Sequence, residues 1–208
     1  MAVSISRRAK LTIAAMLAAG LVWSAPATAQ FSKSYKFLES VRKKEGQEVT
    51  DALDEGGPTL VNTRDVVSGE SALHIVAARR DLTWLQFLVG KGANVNIRDN
   101  KGITPLVVAC GLNFVEGVDF LISKGARVDE SNNAGETPLI TAVHNRNSEM
   151  VQVLLKAGAN PKRADNSGRS ALDYAKLEGS TALTGLLEAA IKEQAAKAMS
   201  KGSYGPKL

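Results

Sequence analysis

The fold of this chain is decided by the stretch ITPLVVACGLNFVEGVDFLISKG at residues 103–125. Its Thr-Pro-Leu opening begins at Thr104 and returns 33 residues later at Thr137. The same slot holds Ser-Ala-Leu at Ser71, 33 residues before Thr104, and at Ser170, 33 residues after Thr137. Four openings at one fixed period indicate a stack of similar structural units rather than one irregular domain.

Each unit has the pattern of two short helices followed by a connection. The opening Ser or Thr can cap the first helix with its hydroxyl, and the prolines Pro105 and Pro138 suit a first helical turn. Apolar pairs such as Leu85 and Leu88 mark the second helix, and Gly92 is typical of its end. One such pair of helices cannot bury its apolar side alone, so we expect the units to stack side by side.

The openings and endings of these units match a known pattern. The Thr-Pro-Leu of Thr104 and Thr137 resembles the opening T-P-L-H of the ankyrin repeat family, and its histidine is present at His74. The sequence GANVN that follows Lys91 resembles the G-A-D-V-N ending of that family. The resemblance implies an all-α ankyrin-repeat solenoid, in which helix–turn–helix units are joined by β-hairpin-like fingers.

Four segments follow from this reading. Residues 1–29 are predicted to be a cleavable signal peptide, and residues 34–57 a degenerate helix pair that caps the stack at its N-terminal end. Residues 58–190 hold the four repeats, the last of which is a C-terminal cap because no further Gly-headed turn follows it. Residues 191–208 are predicted to continue as a helix and then to become a disordered tail.

The N-terminal segment has the features of an export signal. Arg7, Arg8 and Lys10 precede an uncharged run at residues 11–23, and a small-residue Ala-Thr-Ala site ends at Ala29. A helix of that run spans only about 20 Å, which is short of the roughly 30 Å core of a membrane. We therefore predict cleavage after Ala29 and a location in a bacterial periplasm. The general secretory route is favoured, and the twin-arginine route stays open.

The net charge of +5 does not indicate a nucleic-acid partner. Residues 1–29 and 191–208 each carry +3, which leaves −1 on the body of the chain. A nucleic-acid-binding fold concentrates its excess of Lys and Arg on one folded face.

Few residues suit catalysis or metal binding. The chain has two His and one Cys, all in different repeats, so no ligand cluster is expected. We predict that His74 bridges backbone groups of adjacent turns and that Cys110 is an inert core residue. The repeated Ser and Thr are caps rather than nucleophiles. The sequence thus predicts no enzyme, no metal and no cofactor.

The resemblance implies a concave groove in which a protein partner contacts the finger turns and the exposed side of the first helices. Ile103, Leu112 and Leu177 are candidates either for anchoring that partner or for padding the stack. Packing in the core or on the convex side is the favoured role of Trp84. The implied contact residues are Glu70, Arg79, Asn100, Lys101, Ile103, Leu112, Asn133, Glu136, His144, Asn145, Arg169 and Glu178, with Ala78, Gly111, Asn166 and Leu177 beside them.

These observations favour a monomeric, periplasmic protein–protein interaction module. Two alternatives are kept. One is an envelope-associated stabiliser that acts through the lysine-rich tail, and the other is an effector secreted beyond the cell.

Overall fold

The computed structural model describes residues 25–202, and the side chains of residues 33–199. Of the predicted signal peptide, residues 1–29, the first 24 lie outside the described residues, and residues 25–29 belong to the first helix. Residues 203–208 of the predicted disordered tail also lie outside the described residues.

Within residues 25–202 the chain forms ten helices and no strand. Isolated antiparallel bridges join Arg64 to Ser71 and Ala164 to Ser170 at the bases of two fingers. The all-α prediction is therefore confirmed, and the hairpin character of the fingers is limited to turns and single bridges. The helices are α1 (Ala25–Lys43), α2 (Gly46–Leu60), α3 (Ala72–Ala78), α4 (Leu82–Gly90), α5 (Pro105–Gly111), α6 (Val115–Ser123), α7 (Pro138–His144), α8 (Ser148–Lys156), α9 (Ala171–Leu177) and α10 (Thr181–Gly202).

The helix pairs stack in chain order, as the period predicts. The first helices α3, α5, α7 and α9 pack in one row, and the second helices α4, α6, α8 and α10 in another. Helix α1 packs against α2 and α3, which places the α1–α2 pair at the start of the stack.

The core lies between the two rows of helices. The leucine of each opening is fully buried in the first three repeats, at Leu73, Leu106 and Leu139. Its fourth copy, Leu172, is only partly buried. No fifth repeat follows α10 in the described residues to cover it, which is what a terminal repeat requires.

The caps of the first helices are those that the sequence predicts. Thr104 Oγ1 accepts a hydrogen bond from the Val107 N–H at 3.4 Å, and Thr137 Oγ1 accepts one from Ile140 at 3.2 Å. Proline occupies the first turn of α5 and of α7. Each cap satisfies one of the backbone N–H groups that a helix start leaves unpaired.

The turn between the two helices of each repeat is left-handed. Its φ is +55° at Arg80, +55° at Asn113, +52° at Arg146 and +68° at Gly179. Glycine adopts this conformation freely, whereas a residue with a Cβ pays roughly 1 kcal/mol. Three of the four repeats therefore carry a small strain at this turn.

The N-terminal pair ends at Leu60 rather than at the predicted residue 57, and its second helix, α2, begins at Gly46. The helix kinks at Gly57, where φ is +64°, and makes a further turn that ends at Leu60. The proline that follows Gly57 suits the start of that last turn because its missing N–H is not needed there.

Candidate docking surface

Each finger ends in a turn that a single carboxylate or amide organises. Asp99 Oδ1 accepts hydrogen bonds from the N–H groups of Lys101 and Ile103, both at 2.8 Å. Asn132 and Asp165 do the same in the next two fingers. The tips are therefore fixed in shape by hydrogen bonds within each turn.

Neighbouring fingers are joined by a ladder of asparagines. The Asn100 backbone N–H donates to the Ser68 carbonyl at 3.1 Å, and its Nδ2 donates to the Val67 carbonyl at 2.9 Å. Asn133 and Asn166 repeat both bonds, each on the finger before it. The structure thus uses the amide donors of predicted contact residues Asn100 and Asn133 to hold the fingers together.

The ladder explains the glycines of the first three fingers. A Cβ at Gly69 would lie 2.4 Å from Asn100 Oδ1, and one at Gly102 would lie 2.4 Å from Asn133 Oδ1. Both glycines also have a positive φ. A side chain at either position would push the next finger away.

His74 joins the first repeat to the second. Its Nδ1 accepts a hydrogen bond from the Ser71 N–H at 3.1 Å, and its Nε2 lies 2.9 Å from the Ile103 carbonyl. Since Nδ1 accepts, Nε2 carries the proton and donates to that carbonyl. Burial of the ring lowers the pKa of His74. The predicted structural imidazole is confirmed.

Asp173 takes the same slot in the last repeat with a different result. Its Oδ2 accepts hydrogen bonds from the Ser170 N–H at 2.9 Å and from the Ser170 hydroxyl at 2.6 Å. Those two bonds, the hydroxyl first, hold the pKa of Asp173 below its ordinary value. An ionised carboxylate has no proton to donate, so it cannot make the forward bond that His74 makes.

The third and fourth repeats share a polar network. His144 Nδ1 lies 3.0 Å from Glu178 Oε1, and Arg146 Nε donates to Glu178 Oε2 at 3.3 Å. The His144 ring packs edge-on to Tyr174, whose hydroxyl donates to Asp165 at 2.6 Å. That bond is the main cause of a strongly lowered pKa at Asp165. Two predicted contact residues, His144 and Glu178, are therefore paired with each other.

Arg79 and Asn145 have internal roles. Arg79 donates to the carbonyls of Val41 and Arg42 at the end of α1, and its guanidinium lies 5.4 Å from the centre of the Trp84 ring. It therefore fastens the capping pair to the first repeat, and Trp84 packs beneath it. Asn145 Nδ2 donates to the carbonyls of Cys110 and Gly111, at 3.2 and 3.0 Å, which closes the end of α5.

The remaining predicted residues divide into two groups. Glu70 and Glu136 are partly buried and accept hydrogen bonds from Ser68 and Thr141, and Ile103 is half-buried. Lys101 and Arg169 are exposed, as is Leu112, which is 43% exposed. We call the finger tips and the exposed ends of the first helices the docking face.

Sequence reasoning missed two residues of that face. Val66 and Val67, in the first finger, are 73% and 88% exposed. The tips of the three later fingers carry Asn100-Lys101, Asn133-Ala134 and Asn166-Ser167 instead. The signal was therefore present: an apolar pair at a turn where the other copies are polar or small.

The described residues offer little for catalysis. No group of three or more His, Cys, Asp or Glu among them is placed to hold a metal ion. Cys110 is fully buried, and burial raises its pKa to about 12, so its thiol stays protonated at neutral pH. The prediction of an inert core cysteine is confirmed. In the same part of the chain, no helix combines the length and the apolar character that crossing a membrane requires.

Two family models match the chain. The first, described as "Ankyrin repeats (3 copies)", covers residues 39–132, and the second, described as "Ankyrin repeats (many copies)", covers residues 121–175. Together they span about two thirds of the 208 residues. Ankyrin repeats generally mediate interactions between proteins and are typically non-catalytic.

Proposed function

Because this chain belongs to the ankyrin repeat family, we propose that it is an exported, monomeric scaffold that binds another protein through its docking face and catalyses no reaction. One observation carries the proposal. The docking face presents exposed apolar and cationic side chains, among them Leu112 and Lys101, on a rigid frame. The exposed parts of these side chains are available to a partner.

The rigidity of the frame supports binding. The turn bonds of Asp99 and the ladder bonds of Asn100 fix the finger tips before any partner arrives. A surface that is already ordered loses little conformational entropy when it binds. Less of the contact free energy is then spent on ordering the surface.

The periplasmic part of the proposal rests on the N-terminal sequence. The basic residues, the uncharged run at 11–23 and the Ala-Thr-Ala site have the order of an export signal. Helix α1 begins at Ala25, and among its described side chains, from residue 33 onward, the buried ones are Phe37, Leu38 and Val41. These three follow the proposed cleavage point after Ala29, so cleavage does not remove them.

A matched pair of double variants tests the docking face. Lys101→Glu/Leu112→Asp changes the docking face, and Lys156→Glu/Gln152→Asp makes the same change of charge on α8, a second helix. Circular dichroism first establishes that both variants fold. Partner recovery from periplasmic extract should be lost only in the docking-face variant. Equal recovery by both variants contradicts the assignment.

A separate measurement tests export. N-terminal sequencing of the protein purified from the periplasmic fraction should begin at Gln30. A chain that keeps its original N-terminus and stays in the cytoplasmic fraction contradicts this part of the proposal without affecting the docking face.

A further inference from the structure

We infer that the first finger, residues 65–70, is the anchor of the docking face, and that it fits a protein partner with an apolar hollow next to a carboxylate. This inference rests on the proposed function and narrows it to one part of the face.

The apolar part of the argument comes from Val66 and Val67. They are adjacent, 73% and 88% exposed, and at the tip of a turn. Because both valines remain exposed to water, they add little hydrophobic stabilisation to the stack. A partner that covers both removes a compact apolar patch from water.

The tip cannot fold its valines away. Asp65 Oδ1 accepts hydrogen bonds from the N–H groups of Val67 and Ser68, both at 2.9 Å, and the Asp65 N–H donates to the Glu70 carbonyl at 2.8 Å. From the next finger, Asn100 Nδ2 holds the Val67 carbonyl. The valines are therefore presented outward by a backbone that is bonded from both sides.

The charges around the tip select the partner. The Asp65 carboxylate is occupied by its own turn, and those backbone N–H groups of Ser68 and Val67 hold its pKa below the ordinary value. Its other oxygen lies 3.5 Å from Arg42 Nη2. By contrast, Lys101 is exposed and belongs to no ion pair among the described residues, whereas Arg64 Nη1 donates to the Arg98 carbonyl at 2.8 Å and Glu70 lies 4.0 Å from Arg42. The Lys101 ammonium next to the valines thus offers a cation to a partner, and a carboxylate complements it.

An anionic lipid surface also pairs with cations and apolar side chains, but the geometry favours a protein. Membrane-bound surfaces use broad amphipathic helices or aromatic residues, whereas this tip offers two small, rigidly held valines. A hollow of matching shape suits such a protrusion.

Site-specific photocrosslinking in cells tests the location. Benzoylphenylalanine is placed at Val67, at Leu177 in the fourth repeat, or at Gln86 on α4. Position 67 should crosslink one partner, at a peptide with apolar residues and an Asp or Glu nearby. Crosslinking at 177 without 67 overturns the inference and leaves the proposed function standing. Crosslinking at 86 alone overturns both.

A charge exchange tests the chemistry. For the crosslinked partner, Lys101→Glu should weaken binding about tenfold, and replacing the partner's carboxylate with Lys should restore it. Unchanged binding by Lys101→Glu overturns the inference. Co-sedimentation of the wild type with phosphatidylglycerol vesicles, lost in Val67→Asp, would overturn it in favour of a membrane surface.

Discussion

The two halves of the docking face are built from the same repeat but differ in how their side chains are used. In the third and fourth repeats, His144, Arg146 and Glu178 are paired with one another. In the first finger and second repeat, the side chains of Val67 and Lys101 are exposed, and the Lys101 side chain forms no ion pair within the described residues. The difference teaches that exposure alone does not make a residue available for binding.

A second contrast accompanies the first. His74 reaches forward to the next finger, whereas Asp173 in the same slot turns back to its own helix start. The imidazole of His74 both accepts and donates and so joins two repeats, whereas the carboxylate of Asp173 only accepts and bonds within its own repeat.

The largest expected effect is on the junction that His74 makes. His74→Ala removes a buried imidazole and leaves the Ser71 N–H and Ile103 carbonyl unpaired, so the free energy of unfolding should fall by about 2–3 kcal/mol. Asp173→Ala, at the exposed end, should cost no more than about 1 kcal/mol. Urea denaturation followed by circular dichroism measures both. Equal losses in the two variants would contradict the contrast between junction and cap.

Acidification should weaken the same junction. Because burial lowers the pKa of His74 in the folded state, the fold favours the neutral ring. Its contribution is therefore complete above the unfolded value, about 6.5, and is lost as pH falls below it. The urea midpoint should drop between pH 7.5 and 5.5, and the drop should be smaller in His74→Ala. If the urea midpoint falls equally in the wild type and in His74→Ala, protonation of His74 is not the cause of the fall.

The smallest expected effect is at the left-handed turns. Arg80→Gly should raise the free energy of unfolding by roughly 0.5–1 kcal/mol, because glycine relieves the strain at φ +55°. Arg146→Gly should gain less, since it also gives up the ion pair with Glu178. Urea midpoints of the two variants give the order, and a larger gain at Arg146 would mean that its network stabilises nothing.

Sequence reasoning succeeded where a local rule decides the structure. The caps at Thr104 and Thr137 and the left-handed glycine at the helix end, Gly92, each depend on residues within a few positions. These features follow from helix ends and backbone sterics, which a sequence displays directly.

The same reasoning was weakest where atoms from different repeats meet. Asn100 and Asn133 are polar and exposed, and the sequence does not show that their amides bond to the preceding finger. Arg79 is placed on the surface by its repeat position, but it fastens α1 instead. A repeat period gives the slot of a residue, and the neighbour that its side chain reaches depends on packing across some 30 positions of sequence.

The most direct test of the account compares one apolar-to-charged change in each half of the docking face. Affinity for the crosslinked partner is measured by titration calorimetry with wild type, Val67→Asp and Leu177→Asp. The account predicts that Val67→Asp weakens binding by about tenfold or more, while Leu177→Asp stays within about twofold of wild type. A loss at Leu177 with normal binding at Val67 would contradict it.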